Sequence, residues 1–315
     1  MVDEVKNILE KLSKSEYWSI DLVQIKHSKK NGIQYNAEEL PDFDGDGIHK
    51  IVNEIVERYT NGDKSKEYIT LEDYDSSMRY GVIYKLDKSN TLVHEAYNVF
   101  IEALGNSTKE VDEIQNKYDC YVLKSTIEEE QENEEEKEDI SVKIISVRNP
   151  VKILKNKFIK RNGRYKEITD KVIDLKISID ILIWKNTIYF FNDSGEKFLD
   201  IERAYKKVCN EKISEIEKYD IISDIESFRN IAEHGHNPKK FVSFNQENLE
   251  KLNDINTRRN IAEKFNIELD VNNGYKFDTT KKEDAEKLIK VLCGKGKIDP
   301  FNEKAVEVYG SKEWR

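Results

Sequence analysis

Residues 117–147, KYDCYVLKSTIEEEQENEEEKEDISVKIISV, decide how the fold is organised. Both ends of this stretch are apolar and typical of β-strands, whereas its centre is a block of acids. Residues 128–139 hold nine acids and one Lys, a net charge of −8. A like-charge block repels itself and buries no apolar surface, which favours a solvated loop. Since a strand enters the block and another leaves it, the block could be the tip of a long hairpin.

The sequence on either side of this acidic block predicts an α+β fold. Residues 16–27 alternate apolar and polar side chains as a half-buried strand does, and 48–60 place apolar residues on one helical face. Residues 172–193 contain two or three strands in close succession, and helical patterns follow. We therefore expect an N-terminal mixed sheet-and-helix region and a C-terminal antiparallel sheet with flanking helices. The predicted division is 1–126 (N-terminal region), 127–139 (acidic solvated loop) and 140–315 (C-terminal domain, with a basic opening segment).

Composition indicates a folded cytoplasmic protein. The 315 residues include 16 Tyr and 12 Phe, enough aromatic residues to build cores, although 36% of the chain is charged. No apolar run reaches the length of a membrane span, and the first residues lack the apolar stretch of a signal peptide. The cysteines are few and far apart in sequence, which predicts reduced, mostly buried thiols: Cys120, Cys209 and Cys293.

A basic segment follows the acidic block directly. Residues 140–166 carry nine Lys and Arg and no acid, although the whole chain has a net charge of −10. Cationic side chains attract phosphate through Coulomb forces and counterion release, and the interleaved Phe158 and Tyr165 could stack on bases. We expect the following residues to bind DNA: Lys152, Lys155, Lys157, Lys160, Arg161, Arg164 and Lys166. The alternative is a solvated face paired with the acidic block, which could also cover the basic surface until nucleic acid displaces it.

Two motifs that suggest metal sites fail on closer reading. Asp42, Asp44, Asp46 and Gly47 match the first half of a calcium loop, but position 12 is Asn53, which cannot supply a bidentate carboxylate. The stretch is better interpreted as an acidic turn with Asp46 as the N-cap of a helix. His-Gly-His at 234–236 lacks spaced partner ligands and is interpreted as a polar turn.

One further motif leaves an enzymatic alternative open. Asp174-Leu175-Lys176, placed in a strand, resembles the acid-x-Lys element of metal-dependent nucleases, with Asp170 and Asp180 as potential further acids. Alternating charges on the wet face of a sheet give the same pattern. No other catalytic motif is present, so we predict no catalytic residue, no cofactor and no metal, and whether the chain is an enzyme stays open.

The second half of the chain, from about Asn156 to Trp314, resembles a bacterial family of unknown-function domains that includes KwaB, the effector subunit of the Kiwa anti-phage system. The resemblance rests on ordered segments, among them NKFIKRNGRYKEI, IDILIWKNTIYFFN, EKFLDIERAYKKV, DIESFRNIAEHGHNPKKF, ELDVNNGYKFDTT, AEKLIKVLCG and the ending VYGSKEW. One segment departs from the family pattern, KIDPFNEKAV at 297–306.

The resemblance implies a cytoplasmic, homo-oligomeric defence protein. It would bind double-stranded DNA without sequence preference and act beside a membrane-embedded partner subunit, at the inner face of the membrane. No family residue is carried over, so the DNA contacts named above rest on the charge pattern alone. Two alternatives stay open: a metal-dependent nuclease using Asp174 and Lys176, and a protein-interaction module without nucleic-acid activity.

Overall fold

The structure is a computed structural model that describes residues 2–28, 32–40, 45–68, 70–74, 80–107, 117–130, 137–153, 157–161, 163–167, 171–298 and 305–307. The described residues form two compact units. The first, here called the sheet unit, comprises those up to Asp200, and the second, the helical unit, comprises those from Ile201 onwards.

The sheet unit is built around one large sheet. Its helices are α1 (Asp3–Leu12), α2 (Gly45–Thr60), α3 (His94–Gly105) and α4 (Ser194–Phe198). Its strands are β1 (Trp18–Ser28), β2 (Gly32–Glu39), β3 (Thr70–Asp73), β4 (Val82–Asp87), β5 (Cys120–Glu130), β6 (Lys137–Ser146), β7 (Val151–Ile153), β8 (Phe158–Arg161), β9 (Arg164–Glu167), β10 (Lys171–Ile173), β11 (Ile181–Trp184) and β12 (Thr187–Phe190). Eight of them form one sheet in the order β2-β1-β5-β6-β11-β12-β4-β3. Neighbouring strands are antiparallel except for β3 and β4, which are parallel.

Helices cover both faces of this sheet. On one face, Leu22, Leu123 and Ile144 share a fully buried core with Leu9 of α1 and Val52 of α2. Because side chains alternate along a strand, the intervening residues point to the opposite face. There, Tyr35 of β2 lies with its ring centroid 5.3 Å from that of Phe100 in α3, and Phe100 lies 4.9 Å from Phe198 in α4. The α+β fold predicted from the sequence is confirmed.

Strands β5 and β6 confirm the hairpin predicted around the acidic block. They pair from Tyr121 opposite Ser146 to Glu130 opposite Lys137, so the described ends of the block are themselves strand residues. Strands from before and after the block therefore belong to one sheet. Along the chain, the sheet unit ends at Asp200 and the helical unit begins at Ile201.

Two details of the N-terminal region differ from the expectations. Helix α2 begins at Gly45, so Asp46 lies inside its first turn and is not the N-cap. Asp42 and Asp44, the other acids of the calcium-like motif, lie outside the described residues. Strand β2 was not predicted, although Ile33, Tyr35 and Ala37 alternate as buried residues with more exposed neighbours.

The helical unit packs short helices and hairpins around a separate core. Its elements are α5 (Ile201–Glu217), α6 (Ile225–Ala232), α7 (Asn237–Lys240), α8 (Gln246–Lys251), α9 (Ile255–Phe265), α10 (Lys282–Leu292), β13 (Leu269–Asp270), β14 (Lys276–Phe277), β15 (Gly296–Ile298) and β16 (Ala305–Glu307). Phe228, Phe241, Phe277 and Leu288 are buried in its centre. Strands β13 and β14 pair as a short antiparallel hairpin, with Leu269 opposite Phe277 and Asp270 opposite Lys276.

All three cysteines are free and buried, as the sequence predicts. Burial raises the pKa of the Cys209 thiol to about 12 and raises that of Cys293 as well. Both thiols therefore stay protonated at neutral pH and are poor nucleophiles.

Candidate nucleic-acid interface

The centre of the basic segment is a two-stranded hairpin formed by β8 and β9. The two strands pair with each other in a sheet of their own, with Lys160 opposite Tyr165 and Arg161 opposite Arg164. Gly163 in the connection has a φ of 77°, a left-handed conformation that glycine adopts without strain. We call this element the basic hairpin.

The basic hairpin carries exposed Lys and Arg side chains on both faces. Lys160 and Tyr165 are opposite each other and share one face, where the ammonium group lies 5.9 Å from the ring centroid. Arg164 and Lys166 flank Tyr165 in sequence and so lie on the other face. Lys160, Arg164 and Lys166 are exposed, and the Tyr165 side chain is 73% exposed.

The basic side chains of this region lack acidic partners among the described residues. Among the side chains that the structure describes, no acid forms an ion pair with Lys157, Lys160, Arg164 or Lys166. Lys157 is also exposed and directly precedes β8. None of these four charges is therefore offset by an ion pair with an acidic side chain that the structure describes.

The other predicted contacts have different surroundings. Lys152 lies in β7, which pairs with β10, and its ammonium group is bound to the Asp174 carboxylate. Its charge is thus compensated within the sheet unit. Arg161 is described only through its backbone pairing in β8, and Lys155 lies outside the described residues. Among the predicted contacts whose side chains the structure describes, Lys157 and those of the basic hairpin are therefore the ones without an acidic partner.

The acid-x-Lys motif lies at a separate place in the sheet unit. Asp174 and Lys176 follow β10 and belong to no strand, so their predicted strand position was wrong. Together with Asp180 they line a cleft of about 500 Å³. Within the described residues no group of three or more His, Cys, Asp or Glu side chains is arranged to hold a metal ion. Asp170, the other potential acid, lies outside them.

A buried charged cluster on the sheet was not found from the sequence. Asp21 of β1 is fully buried, and its carboxylate lies 2.6 Å from the ammonium group of Lys124 in β5. Lys143 of β6 is directly opposite Lys124. Burial raises the pKa of Asp21, whereas burial together with the charges of Lys124 and Lys88 lowers the pKa of Lys143 to about 8. The members are far apart in sequence, so no local motif reveals them.

Comparison with known families identifies the class of protein. Residues 133–295 match the family model described as Kiwa protein KwaB-like. The matched residues make up just over half of the chain. The chain therefore belongs to the KwaB-like family, and the resemblance predicted from its sequence segments is confirmed. The match begins before Asn156 and ends before the VYGSKEW segment.

Family membership identifies a component of the Kiwa type of anti-phage defence. Searches of curated proteins and of solved structures found no match. Among the described residues, no helix is long and apolar enough to cross a membrane.

Proposed function

We propose that this Kiwa component binds double-stranded DNA without sequence preference through the basic hairpin. The proposal is supported by four exposed basic side chains that have no acidic partner among the described side chains. They are Lys157, Lys160, Arg164 and Lys166. A two-stranded ribbon fits the major groove of B-DNA, which is about 12 Å wide. Lys and Arg side chains on both faces of such a ribbon reach the phosphates of the two DNA strands that border the groove.

The chemistry of the hairpin favours phosphate contacts over base reading. Lys and Arg at exposed positions neutralise phosphates and release counterions, a term that does not depend on sequence. The aromatic ring of Tyr165 is exposed beside Lys160 and provides a surface for a base or sugar. The described residues of the hairpin contribute no Asn or Gln for pairing with a base edge.

The deciding experiment reverses the four charges. We expect the quadruple variant Lys157→Glu, Lys160→Glu, Arg164→Glu and Lys166→Glu to lose duplex binding in an anisotropy titration across a salt series. For any binding that remains at low salt, the slope of log K against log salt should be shallower by about 0.9 for each phosphate that the variant no longer neutralises.

A matched control separates this site from overall charge. The control variant reverses four exposed lysines of the helical unit: Lys207, Lys218, Lys251 and Lys264. It has the same net charge as the test variant and should keep its affinity. Full binding by the test variant would refute the assignment of the site. A wild-type protein that binds no DNA at low salt would instead favour an interaction module without nucleic-acid activity.

We further propose that the protein is a homo-oligomer that acts beside a membrane-embedded partner subunit, at the inner face of the membrane. Membership of the KwaB-like family supports this part of the proposal. Co-purification from detergent extracts with the product of a neighbouring gene, followed by light scattering of the purified chain, tests both statements. A monomer that is recovered without any membrane protein would contradict them.

A further inference from the structure

The cleft beside the acid-x-Lys motif has a wall that is fixed by hydrogen bonds. The wall is the segment 174–180, between β10 and β11. The Arg58 guanidinium donates to the Ile177 carbonyl at 2.7 Å, and the Tyr59 hydroxyl accepts from the Ile179 N–H at 3.0 Å. The Tyr121 hydroxyl donates to the carbonyl of Lys176. Since these side chains come from α2 and β5, the wall is held in one conformation by the sheet unit.

Most charges around the cleft are already paired. Arg58 lies 3.1 Å from the carboxylate of Asp63, Lys64 is paired with Glu67, and Asp174 is paired with Lys152. These pairs leave little net charge at their positions.

Asp180 is also satisfied by its surroundings. Its side chain is only 2% exposed, and its two oxygens accept hydrogen bonds from the Val147 N–H at 2.6 Å and the Asn192 amide at 2.5 Å. The carboxylate therefore stabilises the wall of the cleft and is not directed to a ligand.

Two cations at the cleft have no acidic partner among the described side chains. They are Arg148 and Lys176, and both are exposed. Because both residues line the same cleft, an anion bound there would have two charged donors available without displacing an existing ion pair. Because hydrogen bonds already hold the backbone of the wall, the conformational entropy lost on binding would come mainly from the Arg148 and Lys176 side chains.

The lining also indicates which part of a ligand is recognised. Tyr59 and Tyr68 line the cleft, but they are 2% and 6% exposed, so neither presents a ring face for stacking on a base. The volume of about 500 Å³ is in the usual range for small-molecule sites. Cationic groups without an aromatic platform suit a phosphate group and not a nucleobase.

We propose that this cleft binds the phosphate group of a small phosphorylated or polyphosphate anion through Arg148 and Lys176. The site is separate from the basic hairpin, and the proposal does not rest on DNA binding. A free anion and a phosphate of a nucleic-acid backbone share this chemistry, so the experiment must distinguish these two sources.

The test is calorimetric titration of the full chain with inorganic pyrophosphate and with ATP. We expect both to bind, with similar affinities because the base is not recognised. The variant Arg148→Glu with Lys176→Glu should weaken pyrophosphate binding about tenfold or more. The control variant Lys14→Glu with Lys197→Glu changes two exposed lysines elsewhere in the sheet unit and should bind like the wild type.

The remaining outcomes are equally specific. A wild-type protein that binds no pyrophosphate, or a cleft variant that binds it normally while thermal unfolding shows it to be folded, would overturn the proposal. The quadruple variant of the basic hairpin should keep its pyrophosphate affinity, so failure of the two proposals can be told apart. Displacement of pyrophosphate by duplex DNA would identify backbone phosphate as the source, and its absence would identify a small anion.

Discussion

Replacement of Lys143 by Met should stabilise the protein at neutral pH, because the folded state holds this lysine where its charge is unfavourable. Lys143 is directly opposite Lys124 and is largely removed from water, and its pKa falls from 10.5 to about 8. A difference of about 2.5 pKa units corresponds to about 3 kcal/mol. Since part of the side chain keeps contact with water, we expect a gain of about 1–3 kcal/mol in the free energy of unfolding at pH 7.

The pH dependence of this gain gives the decisive measurement. Between about pH 8 and 10.5 the unfolded chain binds the Lys143 proton while the folded protein has lost it, so the wild type becomes more stable relative to the Met variant as the pH rises. The gain should therefore be complete below about pH 8 and should decrease across this window. Urea unfolding of the wild type and the Met variant at several pH values measures the difference in their free energies of unfolding. The titration of groups that both proteins share cancels in this difference.

Arg at position 143 is the matched control. Its guanidinium stays charged across the whole range, so the charge cost stays in place where Lys143 would lose its proton. The Arg variant should be no more stable than the wild type at neutral pH. At high pH its free energy of unfolding should be lower than that of the wild type. A Met variant whose gain does not change with pH would refute the reasoning, because the gain would then come from apolar burial alone.

Two further predictions concern the alternatives for function. Replacing the acids of Glu128–Asp139 by Gln should tighten duplex binding at low salt, because it removes negative charge that is close in sequence to the basic hairpin; unchanged affinity in the anisotropy titration would show that the block does not compete with DNA. Plasmid incubated with Mg²⁺ or Mn²⁺ should stay intact with the wild type and with Asp174→Asn alike, because the Asp174 carboxylate is occupied by Lys152. Cleavage by the wild type that is absent with Asp174→Asn would establish the nuclease.

Local sequence patterns were sufficient to predict most helices and strands of the sheet unit. The alternation in β1 and the helical face of α2 repeat over several residues, and burial fixes their phase. Strand β2 gave a poorer signal because Asn36, Ala37 and two Glu residues have low strand propensity. Its position at the edge of the sheet, next to β1 and under α3, depends on tertiary contacts.

How well each candidate site could be predicted from the sequence depended on how close together its residues are along the chain. The basic hairpin is contiguous, and Asn-Gly at 162–163 between two short strand-like runs is a hairpin signal that the sequence does contain. In contrast, the proposed anion-binding cleft combines Arg148 with Lys176, and the buried cluster combines Asp21 with Lys124 and Lys143. The pairing order of distant strands brings these residues together, and no period or spacing in a single sequence encodes that order.

The register of the β5–β6 hairpin makes its length sensitive to ionic strength. Each added residue pair gains backbone hydrogen bonds, but the register pairs Glu128 with Asp139 and Glu129 with Glu138, so these steps pair two acidic residues each. Dissolved salt screens such repulsion over a length of about 8 Å at physiological ionic strength. We therefore expect the acidic pairs at the end of the hairpin to form more fully in concentrated salt and to open in dilute salt, while apolar pairs such as Val122–Ile145 and Ile127–Ile140 keep the rest closed.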